Sequence, residues 1–139
     1  MTYLDALQDA LAAEYAAVHV LGYLGAQTSE SAQPDLYADL DRAYAAHRAA
    51  RDLLTALVRD AGGTPAAAQP GYALPDVDGS TESVRAAAAR VERTCATAYP
   101  ALVSQTPAGG DRRFGTDRLV ACALGEVTFG GRPRAFPGR

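Results

Sequence analysis

The chain has 139 residues, a net charge of −3 and an apolar share of 48%, which suit one soluble domain with a single core. The negative balance argues against a nucleic-acid binder, which carries a basic face, and no apolar run reaches the about 18 residues that a membrane span needs. No basic segment followed by an apolar one opens the chain, so no signal peptide is expected, and the protein reads as cytoplasmic with its two cysteines reduced. Lysine is absent, so every one of the 13 basic residues is arginine. Alanine is abundant and β-branched residues are sparse, a bias toward helix.

Thr2 is placed to cap a first helix that runs to about Gln27. Leu4, Leu7, Leu11, Val18 and Leu21 recur three and four apart, and Glu14 occupies the missing step of that series. After the polar link 28–33, Pro34 suits the first position of a second helix. Its inward series is Leu36, Leu40, Ala43, His47, Ala50, Leu54, Leu57 and Ala61, with Gly62 and Gly63 at its end.

Residues 62–80 carry Pro65, Pro70 and Pro75 and fit no helix or strand. So long a stretch inside one domain needs a reason. A crossover along the bundle supplies it, since ~19 extended residues reach up to ~60 Å. Asp78, Ser80 and Thr81 offer caps for a third helix, with the stripe Val84, Ala88, Val91, Cys95, Ala98 and Leu102 and with Glu92 at its edge. Pro100 should kink or shorten its last turn. Residues 105–111 make a turn. A fourth helix then runs from Asp111 or Thr116 to Thr128, with Leu119, Cys122, Glu126 and Phe129 as one candidate stripe. Val120, Ala123, Leu124 and Val127 compete with it for the buried face. The last ten residues form a basic, extended tail with Phe136 as its expected anchor.

Four polar residues thus fall where apolar ones belong: Glu14, His47, Glu92 and Glu126. A buried carboxylate is costly unless it is paired or bound to metal. Counted from the first hairpin turn at ~1.5 Å per residue, Glu14 and His47 are level. Glu92 and Glu126 differ by about 4.5 Å across the second hairpin. If the crossover makes helices 2 and 3 parallel, His47 and Glu92 are level too, and the four groups form one mid-bundle cluster. Three carboxylates and one imidazole are a donor set for one Fe, Mn or Zn ion. The competing reading is a closed polar network.

Other groups carry weaker signals. His19 lies about 140° round the helix from Glu14 and reads as a surface or interface residue. Cys95 and Cys122 are nearly level across the second hairpin; they pack as small hydrophobes or pair as a redox couple. Tyr15, Tyr23, Tyr44 and Tyr99 either line a pocket or pack with their hydroxyls at the edge. Arg51 either pairs with a buried carboxylate or faces solvent. The tail either docks on the acidic first helix of its own or a neighbouring chain or stays free. No phosphate-binding loop and no hydrolase or zinc-protease motif is present.

The segments LQDALAAEYAAV, AYAAHRAARDLL, RVERTCATAYPALV and the terminal RAFPGR resemble the ferritin-like superfamily, and within it a family of small actinobacterial ferritin-like proteins with no assigned activity. The resemblance covers nearly the whole chain. It implies an all-α, ferritin-like four-helix bundle over residues 1–129, two hairpins joined by a long crossover between helices 2 and 3, followed by the tail 130–139. Di-iron members place single carboxylates on two helices and Glu-x-x-His on the other two. By that pattern Glu14 and Glu92 match the single carboxylates, His47 matches one histidine and Glu126 one glutamate. Tyr44 and Phe129 stand where a glutamate and a histidine belong. The expected function is therefore a non-catalytic binding or interaction module with a degenerate di-iron site. The alternative is a mononuclear Fe, Mn or Zn protein using Glu14, His47, Glu92 and Glu126. A homodimer is the default assembly, with no membrane or nucleic-acid partner.

Overall fold

A computed structural model describes residues 1–139. It is all helix with no strand: α1 (Tyr3–Ala26), α2 (Pro34–Asp60), α3 (Thr81–Ala96), α4 (Tyr99–Gln105) and α5 (Arg113–Thr128). No helix is long and apolar enough to cross a membrane.

The helix starts follow their chemistry. The Thr2 hydroxyl accepts the Asp5 backbone N–H at 3.1 Å, and the Asp5 carboxylate accepts the Thr2 N–H at 2.8 Å, a reciprocal capping box. Pro34 opens α2, where its missing N–H would find no intrahelical partner anyway. Ser80, one of three candidate caps, accepts from the Ser83 N–H at 3.1 Å and starts α3.

Pro100 does more than shorten α3. Its ring clashes with the carbonyl four residues back and it has no N–H to offer. The rod breaks at Thr97 and Ala98, whose N–H groups turn to Thr94 and Cys95 in tightened bonds. It then restarts as α4 with Pro100 in the first turn. Four rods result, the third in two pieces.

Residues 61–80 have neither helix nor strand and climb alongside α1. At the lower end the Gln8 side chain donates to the Thr64 carbonyl (2.7 Å) and accepts the Ala66 N–H (3.0 Å). Midway the His19 ring packs on Tyr72, centroids 5.2 Å apart. At the top Asp78 N–H donates to the Ser83 hydroxyl. The chain therefore starts α3 beside the start of α2, where Gln33 donates to Thr81 at 2.5 Å, so α2 and α3 run parallel. His19 is exposed and acts as a clip for this segment.

Two apolar clusters share the interior. One gathers Leu7, Leu11, Leu54, Val58, Tyr99 and Leu102; the other gathers Leu21, Leu24, Leu36, Leu40, Val84 and Phe129. On α5 the stripe containing Cys122, Glu126 and Phe129 is buried, while Val120, Leu124 and Val127 are exposed. The tail docks, though not on the first helix. Arg134 reaches the buried Glu126 carboxylate at 3.3 Å, and Gly138 lies against the Ala96 carbonyl and the Pro100 ring. Phe136 is no anchor: it is 69% exposed and carries the Arg139 guanidinium over its ring. A buried carboxylate offers the tail more than the solvated acids of α1 do.

Candidate functional site

Between the two apolar clusters the inward stripes of α1, α2 and α3 each place one polar residue. Glu14 is fully buried, His47 is 1% exposed and Glu92 3%. His47 Nδ1 lies 2.5 Å from Glu14 Oε2, and its Nε2 lies 3.1 Å from Glu92 Oε2. Carboxylate oxygens accept, so both ring nitrogens carry protons and His47 is an imidazolium. Burial opposes that charge, but the hydrogen bonds and charges of Glu14 and Glu92 outweigh it and raise His47 from 6.5 to about 10.

Two further residues complete the layer. Tyr99, at the start of α4, is fully buried and its hydroxyl donates to Glu14 Oε1. Burial and the Glu14 charge push that phenol above its ordinary range. Arg118 on α5 donates from Nη2 to the same Glu14 oxygen at 3.1 Å, with its guanidinium 5.9 Å above the Tyr99 ring centre. The same Nη2 touches His47 Nδ1 at 3.2 Å; both groups are donors, and the Glu14 carboxylate holds them together. Burial raises the Glu14 carboxyl, but the His47 hydrogen bond and the charges of His47 and Arg118 outweigh it and hold it below 4.5. Two carboxylates thus face two cations, and the layer is neutral within itself. One donor, Arg118 Nε, is buried without a partner.

Both thiols border this layer. Cys95 Sγ is 3.9 Å from His47 Nδ1, and Cys122 Sγ is 3.8 Å from Arg118 Nη2. They are free and buried. The Cys95 thiol is pushed up by its hydrogen bond to Cys122 and by burial, so it stays protonated. A cleft of about 160 Å3 between α2 and α5 leads from Asp39 and Arg42 down to His47, Glu92 and Arg118.

The structure brings Glu14, His47 and Glu92 together and leaves Glu126 out. Glu126 is buried, but on the other flank of α5, where Arg93 (2.9 Å) and Arg134 (3.3 Å) take its carboxylate. Successive turns of one helix face need not meet the same partners, and Gly125 is what presents to Glu92. Arg51 pairs with its neighbour Asp52. Tyr44 lies over Gly22 and under Arg48, outside the layer. Arg118 is masked in the sequence because it stands beside Leu119, which already fills that step of the stripe. The available signal was its spacing: Arg118, Cys122 and Glu126 are four apart.

Gly125 explains itself here. A Cβ at this position would lie 2.6 Å from Glu92 Cδ. Alanine in a helix interior ordinarily gains about 1 kcal/mol over glycine. Gly125→Ala is expected to destabilise instead, by ~1–3 kcal/mol, because it displaces a buried carboxylate from His47. Urea unfolding of the variant checks this, and a gain in stability would mean that Glu92 has free room to move.

The fold and this layer define an all-helical domain with a buried, charge-balanced polar centre. The chain belongs to the family described as "Domain of unknown function (DUF4439)", whose model matches residues 6–139. It is similar to a conserved hypothetical protein, rv2844, from Mycobacterium tuberculosis, known from a crystal structure: 30% identity over 90% of this chain and 92% of that one, with a TM-score of 0.80. No curated protein matches the chain.

Proposed function

We propose that this protein is a ferritin-like scaffold working as a non-catalytic binding or interaction module, with Arg118 and His47 supplying the positive charge that a metal would supply in its mid-bundle site. The observation that carries this reading is the Arg118 guanidinium bonded to Glu14 inside the layer. The long crossover and the parallel α2 and α3 support the superfamily. The ligands of a di-iron site do not fit: Tyr44 packs against Gly22 and Arg48 outside the layer, Phe129 has no donor atom and is packed in an apolar cluster, and Glu126 is taken by arginines.

A specific observation favours a second reading. The donor atoms of Glu14, His47 and Cys95, and those of His47, Glu92 and Cys122, lie within 4.8 Å of one another. These residues would hold a single Fe, Mn or Zn ion, which would supply Lewis acidity or redox chemistry when bound. His47 would first have to give up a proton held to about 10.

Metal content by mass spectrometry separates the two. Untagged protein from cells supplied with iron, manganese and zinc is expected to carry far less than one equivalent. One equivalent, lost in Glu14→Ala, would establish the metalloprotein and overturn the first reading. Removing the resident cation tests the same point from the other side. Arg118→Ala leaves two carboxylates facing one imidazolium and is expected to tighten zinc binding at least tenfold by calorimetry. Unchanged affinity would mean that Arg118 does not stand in for the ion. Self-association as a homodimer belongs to the interaction reading, and light scattering measures it.

A further inference from the structure

The positive charges of this domain are unevenly answered. On α2 four arginines are interspersed with five aspartates, so an arginine without a direct ion pair, such as Arg48 or Arg59, still has acids around it. The flank formed by α3 and the docked tail is different. Asp39 holds two guanidinium groups, those of Arg42 and Arg85. Glu126 holds two more, those of Arg93 and Arg134. Arg90 and Arg132 add two cations to the same flank, against Glu82 as the one acid on the pocket wall there. Six guanidinium groups thus meet three carboxylates, Asp39, Glu126 and Glu82, a surplus of three positive charges on a chain whose net charge is −3.

This surplus borders one open pocket of about 750 Å3. Along one side runs α3 from Thr81 to Arg93, about 18 Å, which contributes Arg85, Arg90 and Arg93. Residues 129–131, where α5 ends, form the other side. Gly130 and Gly131 bring no side chain into it, so a ligand can lie against the backbone. The cations are held in place. Arg85 donates to the Thr128 carbonyl at 3.2 Å, and Arg93 and Arg134 are fixed on the same oxygen of the buried Glu126. Glu126 is already answered by Arg93, so docking the tail with Arg134 adds charge to a compensated spot. Like charges gathered in this way repel one another until an anion joins them.

We propose that this pocket binds a small phosphorylated molecule whose two phosphoryl groups accept from Arg90, Arg93 and Arg132. A carboxylate brings one negative charge, whereas a phosphomonoester brings about −1.5 to −2 near pH 7. Two phosphoryl groups therefore match the surplus. The planar guanidinium offers paired N–H groups that suit two oxygens of one such group. The volume falls in the range of small-ligand sites, ~300–1,000 Å3. The proposal gives the binding-module reading a ligand, and the two fail separately: metal content decides that reading, and anion titration decides this one.

Inorganic pyrophosphate titrated by calorimetry into the full chain, in metal-free buffer, tests the assignment. One equivalent is expected to bind, with an affinity that falls as salt is added. Arg90→Gln and Arg132→Gln change exposed side chains with no ion pair to lose, so melting is expected to stay the same. Each is expected to weaken pyrophosphate about tenfold, the loss of one charge-assisted hydrogen bond. Arg48→Gln and Arg59→Gln remove the same charge from α2 and are expected to leave the affinity within about twofold. Absence of pyrophosphate binding to the wild-type chain overturns the proposal. Equal losses from the α2 substitutions would make the binding a response to net charge and overturn it too. Equal affinity for succinate, a dicarboxylate, would overturn the assignment of phosphoryl groups.

Discussion

Glu14→Ala is expected to remove about 3–5 kcal/mol of stability, a large share of the ~5–15 kcal/mol that holds a domain of this kind together. Glu14 is fully buried and accepts from His47, Tyr99 and Arg118 at once. Its removal leaves an imidazolium, a guanidinium and a phenol in an apolar interior, with Glu92 as the one remaining carboxylate. The penalty comes from those stranded donors more than from the lost bonds. Two comparisons identify the mechanism. Glu14→Gln keeps the shape and one acceptor, and it should lose less. Replacing Glu14, His47, Glu92 and Arg118 together by leucine or methionine, with Tyr99→Phe, should lose less than the single alanine, because no partner is stranded. Urea denaturation gives all three values, and thermal melting should fall by ~10–20 °C in Glu14→Ala. A loss under ~1 kcal/mol would show that Glu14 does not hold the layer together.

The second large effect is on pH. His47 is raised from 6.5 to about 10 in the folded state. The folded protein therefore keeps a proton that the unfolded chain releases near 6.5. Its stabilising contribution is complete below that value and declines as pH rises toward 10, by on the order of 5 kcal/mol in total. Glu14 acts in the opposite sense. Its carboxyl is held below 4.5, so its contribution is present above 4.5 and is lost as pH falls through the lowered value. Stability should peak between about 4.5 and 6.5 and fall on both sides. His47→Gln should flatten the alkaline limb, since an amide does not titrate there. The measurement is the free energy of unfolding in urea across pH 4 to 10. An alkaline limb that is flat in the unaltered protein would mean that His47 is neutral and the layer is not charge-balanced as described.

Much of this layer is legible in the residue order because helices make simple rulers. Glu14 and His47 lie nearly equidistant from the first turn, and that count places them level; the observed contact is 2.5 Å. His47 and Glu92 follow once the proline-rich stretch is read as a crossover that makes α2 and α3 parallel. What counting along a helix does not resolve is rotation. Glu126 and Glu92 have nearly the right heights, yet Gly125 faces Glu92 and Glu126 faces Arg93. An α5 with two plausible apolar faces leaves the angle open by about 100°, the step of a single residue. Arg118 is hidden for a related reason: a cation in a buried stripe resembles a surface residue until the carboxylate it answers is known. Pro100 shows a third limit. Its local effect on the helix is foreseeable, but whether the rod stops or restarts depends on what the next turn packs against, and Tyr99 and Leu102 are buried.

The polar layer also governs how the rods can be aligned. Aliphatic surfaces are forgiving, and two alanine- and leucine-rich helices lose little on sliding by a turn. Here a slip of α1 along α2 by one turn, about 5.4 Å, would set Glu14 opposite Ala43 or Ala50 and leave a carboxylate facing methyl groups. Intermediate positions are no better, because His47 spans two carboxylates and releases both when it moves. The bundle is thus geared, with at least one tooth on every rod, and misaligned assemblies are disfavoured by several kcal/mol before any apolar packing is compared. An alanine-rich interior, smooth by composition, acquires a single register from five side chains.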